Sequence, residues 1–113
     1  TKDVAVGLSF SVNPNATIPP SLSKIFDCLV YNKLIYEKPK HGDLSYWAKQ
    51  GILLLNSTLT TIIGQSNVHE KIWKSYTDKL ISDLSKKYDK LIFVLWGTFA
   101  LKKKNLIDDS KHH

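Results

Sequence analysis

The sequence has no arginine, no methionine, one cysteine and no long apolar run. Each absence closes an option. Cys28 has no partner for a disulfide within the chain, and on the apolar side of a predicted helix it reads as a small buried residue. A reducing, intracellular setting suits it, and the sequons Asn15–Thr17 and Asn56–Thr58 then carry no glycan. No stretch reaches the roughly 18 apolar residues of a membrane-crossing helix. The first residues have neither a basic n-region nor an apolar h-region, so neither a signal peptide nor a membrane partner is expected. Because all 16 basic residues are lysine, the guanidinium fork that commonly reads guanine is missing.

What is present fits a small globular chain. The 113 residues are 42% hydrophobic and 23% charged, enough for one domain spanning 1–113 and too few for two. The net charge of +6 is compatible with binding phosphates or nucleic acid. Abundant Lys, Asn and Ile without Arg equally fits an AT-rich coding genome.

Residues 4–12, VAVGLSFSV, alternate as an extended segment. Asn13 to Pro20 is a loop, stiffened where Pro19 and Pro20 fix φ. Ser21 is then the expected N-cap of a helix to about Tyr31, with Leu22, Ile25, Phe26, Leu29 and Val30 on one face. Asp43 caps a short helix through about Gln50, and Gly51 suits its C′ position. Ile52 to Leu55 and Leu91 to Trp96 are unbroken apolar runs, the pattern of strands buried on both faces. Between them, Glu70 to about Tyr88 is the clearest helix, with Ile72, Trp73, Tyr76, Leu80, Ile81 and Leu84 as its apolar stripe. Gly97-Thr98 turns the chain into a helix from Phe99 to Lys104.

Strand, helix, strand, helix, strand, helix implies an α/β fold. In such folds ligands bind beyond the C-terminal ends of strands, and helix N-termini accept anions. Asn56 and Gly97-Thr98 stand at two such ends, and Ser21 and Thr98 open helices. Pattern alone points to a phosphate-bearing ligand on one rim. His41 and His69 have no second ligand at zinc spacing, so no metal site is expected. Trp47, Trp73 and Trp96 read as core, and Lys102-Lys103-Lys104 as a solvated face that adds phosphate attraction.

Five segments, GLSFSV (7–12), IPPSL (18–22), HGDLSYWAKQGILLLNSTLT (41–60), GQSNVH (64–69) with Trp73, Thr77 and Asp78, and LIFVLWGTFALKKK (91–104), resemble, in order, the motifs of family 1 uracil-DNA glycosylases. The resemblance implies a three-layer α/β/α sandwich around a short parallel sheet, incomplete at both ends, and an enzyme of base-excision repair. It needs no cofactor, acts as a monomer, and takes uracil-containing single- or double-stranded DNA. By position, Phe10 stacks on the flipped uracil and Asn56 reads its edge. Pro19-Pro20-Ser21 and Gly97-Thr98 grip the DNA backbone, with Thr98 standing where the family usually has Ser.

Bland rivals stay open at each residue: Phe10 as core, Asn56 as a turn former. Two departures are larger. The GQDPYH-type motif, which supplies the family's catalytic Asp, would precede Thr1. The HPSPLS-type motif, which supplies its catalytic His, would follow His113. The catalytic residues of the resemblance are therefore not within this chain. Runs 51–56 and 91–96 would flank a strand that is likewise outside it. A glycosylase-fold module that binds DNA or a protein without chemistry is the rival reading, and a generic phosphate-binding domain a third. The 113-residue chain on its own is expected to be marginally stable and to release no uracil; a sharp cooperative melt or measurable turnover contradicts this.

Overall fold

Two adjacent prolines decide where the first helix starts. In the computed structural model, which describes residues 5–60, 62–65 and 68–113, α1 spans Pro20–Tyr31. The residue before a proline is driven out of the helical region, so Pro19 is extended (φ −62°, ψ 151°) and Pro20 is the first residue able to turn. Ser21, expected as the cap, therefore lies inside the first turn, and Pro19 O receives the Ser23 N–H at 2.9 Å. Val4, Ser66 and Asn67, which belong to the expected segments 4–12 and 64–69, lie outside the described residues, as does Thr61 just past segment 41–60.

The backbone falls into two units, Thr1–Asn56 and Ser57–His113. In the first, α1 buries Leu22 and Phe26 completely and packs Ile25 and Leu29 beside them. Cys28 is exposed, against expectation. It follows Phe26 by two residues, about 200° around the helix. α1 ends in a Schellman turn: Lys33 N–H reaches Val30 O and Leu34 N–H reaches Leu29 O, both at 2.9 Å, with Lys33 at φ 58°.

α2 spans Ser45–Ala48, shorter than the sequence predicts at its far end. Asp43 does organise its entry, because Oδ1 accepts the Ser45 N–H at 2.9 Å and the Ser45 hydroxyl at 2.6 Å. These two bonds hold the Asp43 carboxyl below its usual pKa. The exit is a second Schellman turn. Gly51 N–H meets Ala48 O, Ile52 N–H meets Trp47 O, and Gly51 takes φ 94° at C′ as expected. Leu44 joins Leu22 and Phe26 to complete the buried core, and Trp47 meets Phe26 edge to face with ring centres 6.2 Å apart.

Segment 5–12 is a loop rather than a strand. Its ends meet in one antiparallel bridge, Ala5 to Val12, and Gly7 (φ 88°) and Phe10 (φ 63°) bend the chain between them. The loop is seated on the segment before α2. Val12 N–H donates to Gly42 O at 2.9 Å, and Leu44 N–H donates to the buried Ser11 hydroxyl at 2.9 Å. Gly42 allows this approach, since a Cβ there would stand 2.5 Å from Val12 Cγ2 and 3.2 Å from Leu22 Cδ2.

In the second unit, α3 spans Glu70–Lys87. Its buried face is rotated from the expected stripe: Ile72 and Tyr76 are exposed, while Thr77, Ile81 and Ser85 are buried. Hydrogen bonds make the polar members tolerable. Thr77 Oγ1 donates to Ser57 O at 3.0 Å, and Ser85 Oγ accepts the Asp108 N–H at 2.9 Å. α4 spans Gly97–Leu101, starting two residues earlier and ending three earlier than predicted, and a 3-10 turn follows at Lys104–Leu106. No helix among the described residues is long and apolar enough to cross a membrane.

The sheet expected of 51–56 and 91–96 is absent among the described residues, whose only bridges outside helices are isolated ones. A strand is completed by a continuous ladder, and neither run forms one among the described residues. Nor is either run buried on both faces. Ile92, Val94 and Trp96 are 77%, 67% and 52% exposed, while Leu91, Phe93 and Leu95 between them are half-buried. At one point the run does pair. His113 N–H donates to Leu91 O at 2.9 Å and His113 O accepts the Phe93 N–H at 2.7 Å, the slanted exchange of parallel strands. Beside it, buried His112 accepts the Leu91 N–H on Nδ1 at 3.1 Å, so Nε2 carries the proton and donates to Ser85 O at 2.8 Å.

The lysine run is not uniformly solvated. Lys103 is buried and reaches Asp78 Oδ1 at 2.5 Å, while Lys74 holds Oδ2 at 2.6 Å. Desolvation pushes the Asp78 pKa up, but the hydrogen bonds from Lys103 and Lys74 outweigh it and hold the carboxyl below its ordinary value of 3.8.

Two outcomes are expected. Gly42→Ala lowers stability by about 1–3 kcal/mol, because the new methyl overlaps Val12; urea denaturation measures it, and an unchanged midpoint contradicts the packing described. A carboxylate whose folded pKa is depressed contributes stability that is full above its unfolded pKa and is lost as pH falls through the folded one. Asp78→Asn therefore flattens the decline in stability as pH falls below about 4, seen in melting temperatures from pH 6 to pH 2; a parallel decline in both proteins contradicts it.

Candidate functional site

Phe10 comes to its place through strain. It lies at φ 63°, a conformation a bulky side chain adopts only when its surroundings enforce it. The enforcing contacts are visible on both sides. Ser11 N–H closes a turn onto Leu8 O at 3.1 Å, and Ser9 N–H donates to Leu54 O at 3.0 Å. Phe10 itself is half-buried against the Leu22–Phe26–Leu44 core. Phe10 thus packs in part as its bland reading requires, while its loop is tied to the run that ends, two residues past Leu54, on Asn56.

Asn56 is exposed. An amide reads one base edge only while neighbours fix which way round it points, and no hydrogen bond to the Asn56 side chain is present among the described residues. The next polar side chain but one, Thr58, has a buried Oγ1 with no hydrogen-bond partner among the described residues. The 7–12 loop and the 52–56 run thus bring the two base-contact candidates into one unit, with the aromatic partner packed and the amide open.

The two candidate backbone-gripping turns are built differently. At Pro19-Pro20-Ser21 the rings fix the chain and leave Pro20 and Ser21 exposed; Ser21 offers its hydroxyl and a first-turn N–H, whereas Leu22 next to it is fully buried. At Gly97-Thr98, Gly97 holds φ 89° with open space where a Cβ would be, and both residues are exposed at the start of α4. Trp96, expected in the core, is largely exposed just before them. Lys102 and Lys104 are exposed, whereas Lys103 is the partner of Asp78.

One cluster escaped the sequence reading. Thr60 Oγ1 accepts the Trp73 Nε1–H at 2.7 Å and lies 2.9 Å from His69 Nδ1. A hydroxyl that accepts from Trp73 keeps a donor and a second lone pair, so Thr60 bonds both rings at once and links His69 to Trp73. The resemblance had grouped His69 with Trp73; Thr60 was invisible as their link because its separation from them is set by a loop rather than by a helical period. Among the described residues, no three His, Cys, Asp or Glu side chains gather in a metal-holding group.

No protein-family model matches the chain. Curated relatives do. Uracil-DNA glycosylase of Pectobacterium carotovorum is 46% identical over 110 residues, which cover 96% of this chain and 48% of that protein. Uracil-DNA glycosylase of Oceanobacillus iheyensis is 49% identical over 111 residues, covering 97% and 48%. Among solved structures, that of mimivirus uracil-DNA glycosylase superposes with a TM-score of 0.94 at 42% identity, over 97% of this chain and 40% of that one. The chain spans about half the length of the curated relatives it matches. Sequence and fold together place it with the uracil-DNA glycosylases.

Proposed function

We propose that this chain supplies the uracil-recognising and DNA-gripping part of a uracil-DNA glycosylase, which hydrolyses the N-glycosidic bond of uracil flipped out of DNA. The observation that carries this is identity of 46–49% over nearly the whole chain to proteins bearing that name. The bond between Ser9 N–H and Leu54 O adds a geometric reason, since it ties the Phe10 loop to the run ending on Asn56.

A base stacked in a duplex is out of reach, so the enzyme extrudes it at a cost of a few kcal/mol. Phe10 offers a face for the extruded ring; stacking contributes about 1–3 kcal/mol and is indifferent to base identity. Asn56 supplies the discrimination. Its carbonyl accepts uracil N3–H and its amino group donates to O4, the reverse of what cytosine presents. Bound DNA orders an amide that is open in the free chain. Pro19-Pro20-Ser21 and Gly97-Thr98 hold backbone phosphates on either side of the flipped nucleotide through N–H and hydroxyl donors, and the lysine surplus draws the strand in. Thr98 retains the hydroxyl and the adjacent N–H of the usual Ser.

Bond cleavage leaves negative charge on uracil and positive charge on the sugar, and donors aimed at the uracil oxygen stabilise that separation. Those donors and the water-positioning carboxylate belong to the GQDPYH-type and HPSPLS-type motifs of the full-length protein. In the complete protein the runs 51–56 and 91–96 are strands of a parallel sheet between helical layers. The hydrogen-bond exchange of His113 with Leu91 and Phe93 supports this for the second run.

The test is uracil release by the full-length gene product and by its Asn56→Asp variant. The substitution removes the donor to O4 and adds a charge beside it. A loss of about 3 kcal/mol, on the order of a hundredfold in kcat/KM, is expected. Undiminished release by the variant removes Asn56 from the reading role. Tight DNA binding without release by the unaltered protein favours the binding module.

A further inference from the structure

α4 has five residues, too few to keep a helical shape by themselves, yet it presents the Gly97-Thr98 turn. Lys103 anchors it. Its backbone N–H donates to Ala100 O and its carbonyl accepts the Leu106 N–H, both at 2.9 Å, so it joins α4 to the 3-10 turn. Its side chain is buried rather than offered to solvent, only 7% of the residue remaining exposed. Nζ lies 2.5 Å from Asp78 Oδ1 on α3 and 5.8 Å from the centre of the Phe99 ring on α4. Lys102 Nζ stands over the same ring, also at 5.8 Å. One carboxylate thereby fixes the element that follows the turn, and a ring within α4 is packed by the same ammonium. A buried ion pair is seldom more stabilising than apolar residues of equal volume, so stability alone is a weak reason to place one here. Directed geometry is a better one.

We propose that Asp78, acting through Lys103, is a positioning residue for the Gly97-Thr98 turn and presets its donors for a DNA phosphate. This rests on the reading of that turn as a backbone grip. Asp78 touches no substrate. It holds Lys103 as a strut and keeps that ammonium from binding phosphate itself, leaving the exposed Lys102 and Lys104 for attraction.

Steady-state uracil release from a single-stranded uracil oligonucleotide, measured with the full-length gene product across a salt series, tests this. Asp78→Asn is expected to raise KM about tenfold and to leave kcat within about twofold. It should also reduce the slope of log affinity against log salt by about 0.7, the loss of one single-strand phosphate contact. Asp78→Glu keeps the carboxylate and should recover most of the KM. Lys103→Met keeps the packing on Phe99 and should match Asp78→Asn, with the double variant no worse than either. A lower melting temperature with wild-type KM and salt slope overturns the proposal, as does a steeper slope, which would mean that freed Lys103 binds phosphate. Thr98→Ala separates the two readings. If it raises KM while Asp78→Asn does not, positioning fails and the grip stands; if it leaves KM unchanged, the grip fails and the proposal with it.

Discussion

The close seating of the 7–12 loop on Gly42 is the contact on which the first unit depends. No side chain at position 42 fits beneath Val12, and the bonds from Val12 to Gly42 and from Leu44 to Ser11 lock the approach. Everything above it follows from this seat. Ser9 then reaches Leu54, Phe10 is held in a backbone conformation it would not choose alone, and the loop lies against the run that leads to Asn56. A wholly apolar core would hold these segments less specifically. The buried Ser11 hydroxyl, satisfied from Leu44, fixes their register as well as their proximity.

The second unit depends on a different device, polar side chains that pin backbone. Thr77 holds Ser57, Ser85 holds Asp108, and His112 spans Leu91 and Ser85. This explains why α3 turns Thr77 and Ser85 inward and leaves Ile72 and Tyr76 outside. Exposed apolar side chains along 92–96 are the counterpart of the missing ladder. A run rich in β-formers, with alternate residues uncovered and one end already exchanging parallel bonds with His113, has the chemistry of a strand without its neighbours.

Much of this was legible in the sequence, and the failures share causes. α1 and α3 were readable from apolar spacing, and Gly51 from its place after a short helix. The caps were less so. Ser21 has cap chemistry, but the φ restriction of Pro19 and Pro20 moves the cap to Pro19 and starts the helix two residues earlier. Cys28 reads from the sequence as lying on the apolar side of α1, yet it stands about 200° around the helix from Phe26 and is exposed; the tryptophans read as core by residue type, which says nothing of whether a covering layer is present. Segment 4–12 alternates like a strand, yet Gly7 and Phe10 turn it, and a period of two cannot reveal a positive φ. For the site, the resemblance named Phe10 and Asn56, and the structure supplies the bond that ties their segments. The sequence could not show that Lys103 is a strut, because a lysine run looks alike whether solvated or paired.

The central proposal is that this chain belongs to a protein that recognises uracil in DNA in order to remove it. The most direct measurement is free base released by the full-length gene product from matched single-stranded oligonucleotides carrying one uracil or one cytosine at the same position, assayed without added metal or cofactor. The account predicts free uracil from the first and no cytosine from the second. Release of both bases, or binding of the uracil strand with no base released, would contradict it.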